Sequence, residues 1–218
     1  MTRVLRTGAG GMLGRDLATA LADLDLTAAP KRDLDITDQD QVPQAVTGHD
    51  VVVNAAAYTA VDKAEQEPER AFSINAEGPR LLARAAATHG ATLIHLSTDY
   101  VFDGKATTPY SEDTPLNPQS AYGRSKAAGE EAVLAEHPDG TVIVRTAWLY
   151  GQGGSHFPGS MLRLAESHDT VSVVTDQIGQ PTWSRDLAGW IRNLIDARVP
   201  SGIFHGTNAG ETSWWDFA

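Results

Sequence analysis

Val4-Leu5-Arg6-Thr7 runs without a spacer into Gly8-Ala9-Gly10-Gly11-Met12-Leu13-Gly14, and Leu13, Leu17 and Leu21 follow at helical spacing. A short strand, a turn with glycine at every third position and an immediate helix leave a chain few folds to choose from. Gly8 permits the tight turn, Gly11 lets the backbone approach a pyrophosphate, and Gly14 lets helix and strand pack closely. The helix start adds free N–H groups and the positive end of its dipole. The unit suits a dinucleotide, with Gly8, Gly10, Gly11, Met12, Leu13 and Gly14 as candidate contacts. The alternative is an ordinary glycine-rich turn. Arg6 is out of place, because a central parallel strand is normally apolar on both faces.

Further apolar runs at 24–29, 50–55, 91–97 and 141–146 alternate with helical patterns at 39–46, 65–73, 79–89 and 120–136. Gly90 stands where a left-handed residue would close the third of these helices. Such alternation predicts an α/β protein with a doubly wound parallel sheet. Residues 1–150 are expected to form a dinucleotide-binding domain. Beyond Gly151 the pattern becomes mixed, so 151–218 is expected to be a smaller, incomplete substrate lobe with a strand near 202–207 returning to the sheet. Near the end, Thr212 or Ser213 resembles an N-cap, and Trp214 and Trp215 open an apolar face. A helix starting there needs more residues to be stable, so the chain is expected to be truncated at its C-terminus.

The second strand is followed by Lys31 and Arg32. An acid at this place would hold the ribose hydroxyl of NAD, whereas a base suits the 2′-phosphate of NADP. The pair leans toward NADPH, with a solvated basic turn as the alternative. Asp35 and Ile36 fall where an adenine edge would be read.

The apolar run 93–97 ends on Thr98-Asp99-Tyr100, and Tyr122-Gly123-Arg124-Ser125-Lys126 places Tyr122 and Lys126 one helical turn apart. An ammonium beside a phenol favours the phenolate, so the Tyr122 pKa is expected to fall toward the working range. A hydroxyl, a tuned tyrosine and a lysine are what reversible carbonyl reduction needs. Alone, a Tyr-x-x-x-Lys is weak; it gains weight from the glycine motif upstream.

The net charge of −11 argues against a nucleic-acid partner. An anionic substrate would therefore need a local basic pocket. The chain has no cysteine, which excludes disulfides, thiolate catalysis and cysteine–zinc sites. No apolar run reaches the roughly 20 residues of a membrane span. A cytoplasmic enzyme is the expectation.

Together these residues resemble the extended short-chain dehydrogenase/reductases, and more narrowly the dTDP-4-dehydrorhamnose reductase family. The matching pieces are 7–17, 34–38, 53–65, 97–104, 122–126, 145–151, 176–182 and 202–205. Segments 56–65 and 97–102 are specific to the narrower group, whereas the glycines and Tyr-x-x-x-Lys belong to the whole superfamily. The resemblance implies a Rossmann fold and reduction of a dTDP-4-keto-6-deoxy sugar with NADPH or NADH. It implies that Thr98 bonds the substrate carbonyl, Tyr122 is the general acid, and Lys126 is its electrostatic partner and a ribose ligand. Asp99 would orient the sugar. Ala55, Ala56 and Ala57 would line the cofactor, ordinary tight packing being the alternative. Trp148 would lie against the sugar ring unless it is simply core. Asn75 would fix backbone near the site or serve as a local cap. His156 and His205 have no required role. No metal is implied, and a homodimer is compatible with the family. The alternatives are a sibling sugar 4-ketoreductase or a non-catalytic regulatory relative, the latter opposed by an intact Thr98, Tyr122 and Lys126.

Overall fold

The computed structural model describes residues 1–218. Its first half alternates strand and helix: β1 (Arg3–Thr7), α1 (Met12–Ala20), β2 (Asp25–Ala29), α2 (Gln41–Val46) and β3 (Val51–Asn54). Two short helices follow, α3 (Val61–Ala64) and α4 (Pro68–Phe72). A π turn over Ser73–Glu77 then leads into α5 (Gly78–His89). Next come β4 (Thr92–Thr98), α6 (Ala121–Glu136), β5 (Thr141–Thr146) and β6 (Leu149–Tyr150). The remainder holds α7 (Phe157–Ala165), β7 (Ile178–Gly179), β8 (Thr182–Trp183), α8 (Ser184–Ala197), β9 (Gly202–His205), β10 (Thr212–Ser213) and α9 (Trp214–Phe217).

Six strands form one sheet in the order β2-β1-β3-β4-β5-β9, and every pairing in it is parallel. The strands are apolar on both faces because helices cover both. Val4, Val53, Ile94 and Val144 point to one side, against Leu13 and Leu17 of α1 and Leu187 and Ile191 of α8. Leu5, Val52, Leu93 and Ile143 point to the other, against Val42 of α2 and Leu82 and Ala86 of α5. The order of strand addition reverses between β1 and β3, and ligands of such sheets bind outside the carboxyl ends of the strands at that switch point. No helix is long and apolar enough to cross a membrane.

The helix expected over 65–73 is the shorter α4, which begins at Pro68, and α3 precedes the expected span as a separate turn of helix. Pro68 occupies the first turn of α4, where its missing N–H costs nothing, so it begins a helix rather than continuing one. The helix expected from residue 39 begins at Gln41, because the Asp38 carboxylate accepts from the N–H groups of Asp40 and Gln41 and holds the preceding turn. Gly90 closes α5 with φ 68°, as the sequence suggests. Helix α8 went unnoticed in the mixed region, although Leu187, Ile191, Leu194 and Ile195 form a buried stripe on it. Near the end, Ser213 caps α9 by accepting from the Asp216 N–H. Trp214 is not left open: it stacks on Trp148 at a centroid distance of 3.5 Å, while Trp215 stays exposed.

Candidate active site

The glycine turn lies at the carboxyl end of β1. Gly8 has φ +64°, and a Cβ there would lie 2.5 Å from the Ala55 backbone at the end of β3, so the two loops touch. A Cβ on Gly14 would lie 2.4 Å from the Gly8 carbonyl oxygen, so α1 presses directly on the turn. Gly10 faces open space, and Gly11 meets only the Gly8 oxygen, at 3.3 Å. No side chain caps α1. Its first N–H groups are thus left for a ligand. This cradle fits a pyrophosphate. Met12 and Leu13 open α1, with Leu13 turned into the core.

That cradle makes Gly11→Val a clean probe. Gly11 has φ −74°, and a Cβ there would press on the Gly8 carbonyl oxygen alone, at 3.3 Å, so the variant should fold with a small loss of Tm, while its isopropyl group would stand where a phosphate would approach. We expect affinity for dinucleotide to fall at least tenfold in a fluorescence titration. Unchanged affinity in the folded variant would remove the cofactor from this turn.

Beneath the turn, side chains link three neighbouring strands, at the ends of β1 and β3 and the middle of β4. The Thr7 hydroxyl donates to Asn54 Oδ1 (2.6 Å), and Asn54 Nδ2 donates to His95 Nδ1 (3.0 Å). Asn54 Oδ1 also accepts from the Ala56 N–H, which shapes the loop of Ala55, Ala56 and Ala57. All three residues of the ladder are buried, and His95 is pushed well below the usual histidine range by burial and then by the nearby Lys126 charge. Asn75, inside the π turn, holds both the N–H (2.8 Å) and the carbonyl (3.0 Å) of Tyr58 and donates to Ser125 Oγ on α6 (2.9 Å). It therefore fixes backbone beside the alanine loop rather than capping a helix.

The chemistry-bearing residues converge where β4 ends against α6. Thr98 donates from Oγ1 to Asp99 Oδ1 (3.0 Å) and accepts from the Tyr100 N–H. Burial raises the Asp99 carboxyl above its ordinary range, while the Thr98 hydroxyl pulls the other way. Ser120 caps α6 by accepting from Gly123, and Tyr122 follows in the first turn with its ring edge-on to Tyr100 at 5.5 Å. Lys126, one turn on, is buried and donates from Nζ to the Leu96 carbonyl (2.6 Å).

The expected depression of the Tyr122 pKa is corrected by this geometry. Burial pushes the phenol up to about 12, with the Thr98 hydroxyl opposing and the Asp99 and Tyr100 charges adding. The Lys126 ammonium gives one of its three donors to a backbone carbonyl, and burial draws its pKa down to about 8 against the pull of Glu130. Tyr122 is therefore a neutral phenol at physiological pH, as delivery of a proton requires.

Other expected residues are placed as follows. Lys31 and Arg32 are exposed just past β2, and Arg32 pairs with the neighbouring Asp33 at 3.4 Å. The Asp35 carboxylate accepts from both the N–H and the hydroxyl of Thr37, and Ile36 is buried. Trp148 has one face against Trp214, so it offers at most the opposite face to a sugar. His156 caps α7, and His205 packs edge-on to Phe102.

Sequence reasoning missed Glu130 and Arg145. They form an ion pair at 2.7 Å with 1% and 3% of their side chains exposed, and Ser97, next to Thr98, donates to the same carboxylate. The signal was present: Tyr122, Lys126 and Glu130 repeat at i, i+4 and i+8 on α6. A cavity of about 480 Å³ between Met1, Asp50, Leu194 and Arg198 lies at the amino ends of the strands, away from this chemistry.

A family model described as RmlD substrate binding domain matches residues 1–218. A dTDP-4-dehydrorhamnose reductase of Streptomyces griseus is 52% identical, covering 97% of this chain and 72% of the relative. A dTDP-4-keto-6-deoxy-D-glucose reductase of Streptomyces niveus is 49% identical over 99% of this chain and 76% of its own length. A crystal structure of dTDP-4-dehydrorhamnose reductase from Bacillus anthracis, in complex with NADP, superposes with a TM-score of 0.95 at 42% identity, covering all of this chain and 78% of the other.

Proposed function

The chain belongs to the RmlD substrate binding domain family, and from that premise we propose that it is an NAD(P)H-dependent oxidoreductase reducing the 4-keto group of dTDP-4-dehydro-L-rhamnose to dTDP-L-rhamnose. The observation that carries this reading is that Thr98 ends β4 beside Tyr122, with Lys126 one turn further along α6 and bonded to the Leu96 carbonyl of the same strand, at the carboxyl edge of a sheet whose first turn is an open, uncapped cradle. When bound, the nicotinamide cofactor supplies the hydride.

The chain's own groups do the rest. Gly8 to Gly14 take the pyrophosphate, Ala55, Ala56 and Ala57 line the passage beside them, and Asp35 and Ile36 border the adenine. Thr98 turns its hydroxyl from Asp99 to the sugar carbonyl. Tyr122 holds its proton until negative charge develops on the carbonyl oxygen, then releases it there. Lys126 steadies the phenolate that remains and meets the ribose. Asp99, freed from Thr98, orients the sugar, and Trp148 bounds it. Residues 1–150 serve as the cofactor domain, completed by α8 and β9, with the rest of 151–218 in the substrate lobe. The setting we propose is the cytoplasm, where a chain without cysteine has no disulfide for the reducing poise to break.

The deciding experiment follows NADPH oxidation by the full-length gene product with dTDP-4-dehydrorhamnose. Absence of turnover with any dTDP-4-keto sugar would overturn the reading. The near-equal likeness to the Streptomyces niveus reductase favours one second reading, a sibling 4-ketoreductase, so dTDP-4-keto-6-deoxy-D-glucose belongs in the same assay. Cofactor choice is tested by replacing Lys31 and Arg32 together with Ala. We expect NADPH binding to weaken about tenfold while NADH binding stays nearly unchanged, since only the former carries the 2′-phosphate. Equal losses would show that these side chains do not read it.

A further inference from the structure

Two arginines are buried in this protein, and they are treated differently. Arg145, 3% exposed, has the Glu130 carboxylate for a partner. Arg6, 4% exposed, has none: its guanidinium makes one hydrogen bond, from Nη1 to the Gly14 carbonyl, and Nε is buried with no partner. A buried charge without a counter-ion is costly and uncommon. Burial lowers its pKa with no carboxylate opposing, yet a guanidinium keeps its proton. The charge is uncompensated within a chain of net charge −11.

Its position supplies a reason. Arg6 precedes Thr7 at the carboxyl end of β1 and faces α1, on the same side of the sheet as Val4. It bonds the first turn of that helix at Gly14, where helix and glycine turn are in closest contact, a Cβ there lying 2.4 Å from the Gly8 oxygen and 3.0 Å from Ala9. The cation therefore sits directly behind the uncapped cradle. We infer that Arg6 is a buried counter-charge for the dinucleotide pyrophosphate, acting from behind the glycine turn through the first turn of α1 rather than by contact. The inference rests on the cofactor placement above. It completes the helix dipole, whose own positive end carries about half a charge. Because NADPH and NADH share the same pyrophosphate, Arg6 acts on both alike, which separates it from Lys31 and Arg32.

The rival role is a structural tie to Gly14. Two variants of the full-length protein separate them: Arg6→Gln, which keeps a donor for the Gly14 carbonyl without charge, and Arg6→Met, which keeps neither. The readouts are the Kd for NADPH and for NADH by fluorescence titration, and Tm without nucleotide. A unit charge at roughly 10 Å under an effective dielectric of about 20 is worth about tenfold in affinity. We expect both variants to weaken both nucleotides by about that factor, and Arg6→Met to melt no lower than the parent. Unchanged Kd values, full rescue by Gln, or a loss confined to NADPH would each overturn the inference. If Arg6→Met does not fold, the Gln variant alone decides. A parent protein that binds neither nucleotide would overturn the cofactor placement itself, whereas a parent that binds both beside unaffected variants overturns only the role of Arg6.

Discussion

Replacing Tyr122 by Phe in the full-length gene product is expected to lower kcat for the 4-keto sugar by about 100- to 10,000-fold, the usual contribution of a general acid. The side chain loses one oxygen and keeps its ring edge-on to Tyr100, so fold and cofactor affinity should hold. Stopped-flow rates with a separate nucleotide titration would show the split. Near-normal turnover would move the proton to Asp99 or to water. The pH profile carries a second signature. Tyr122, at about 12, keeps its proton across the working range, whereas Lys126 loses its own near 8. As pH rises through about 8, Lys126 passes from charged to neutral and stops steadying the developing phenolate. We therefore expect kcat/KM to fall there, and a flat profile to pH 10 would show that the ammonium charge is not needed.

Glu130→Gln is expected to cost about 3–5 kcal/mol of stability, as removal of one partner from a buried ion pair does. Arg145 Nε and Nη2 both reach the Glu130 carboxylate, at 3.0 and 2.7 Å, and Ser97 donates to it as well. A glutamine would leave the guanidinium charged and unneutralised in the core. The double variant Glu130→Met with Arg145→Met removes both charges and should recover much of the loss, since apolar replacements of whole buried pairs are often neutral. Urea denaturation of the three proteins measures this. A loss under about 1 kcal/mol for Glu130→Gln would mean that the pair is better hydrated than its exposure of 1% and 3% implies.

The parts legible in the sequence were those written in adjacent residues. The glycine turn, the six strands of the main sheet and the Tyr122–Lys126 spacing each fit within a short stretch of chain, so local pattern was enough. Arg6 was visible as an anomaly, but its partner at Gly14 depends on how α1 folds back onto β1. The Glu130–Arg145 pair joins α6 to β5, and only the register of Ser97 beside Arg145 brings the three side chains together. The protonation of Tyr122 failed for a similar reason. Sequence spacing places Lys126 on its face of the helix, but burial and the Leu96 carbonyl, which set the outcome, come from other elements.

The Thr7–Asn54–His95 ladder has a consequence of another kind. An ordinary imidazole changes charge near pH 6.5 and would loosen any structure built on it as the medium turns acid. His95 accepts at Nδ1 from an amide that can only donate, and burial holds its pKa far below that value. The ladder beneath the glycine turn is thus electrically inert to mild acid. Cofactor affinity is therefore expected to pass through pH 6 without an inflection from His95, which a nucleotide titration between about pH 5 and 7 would show.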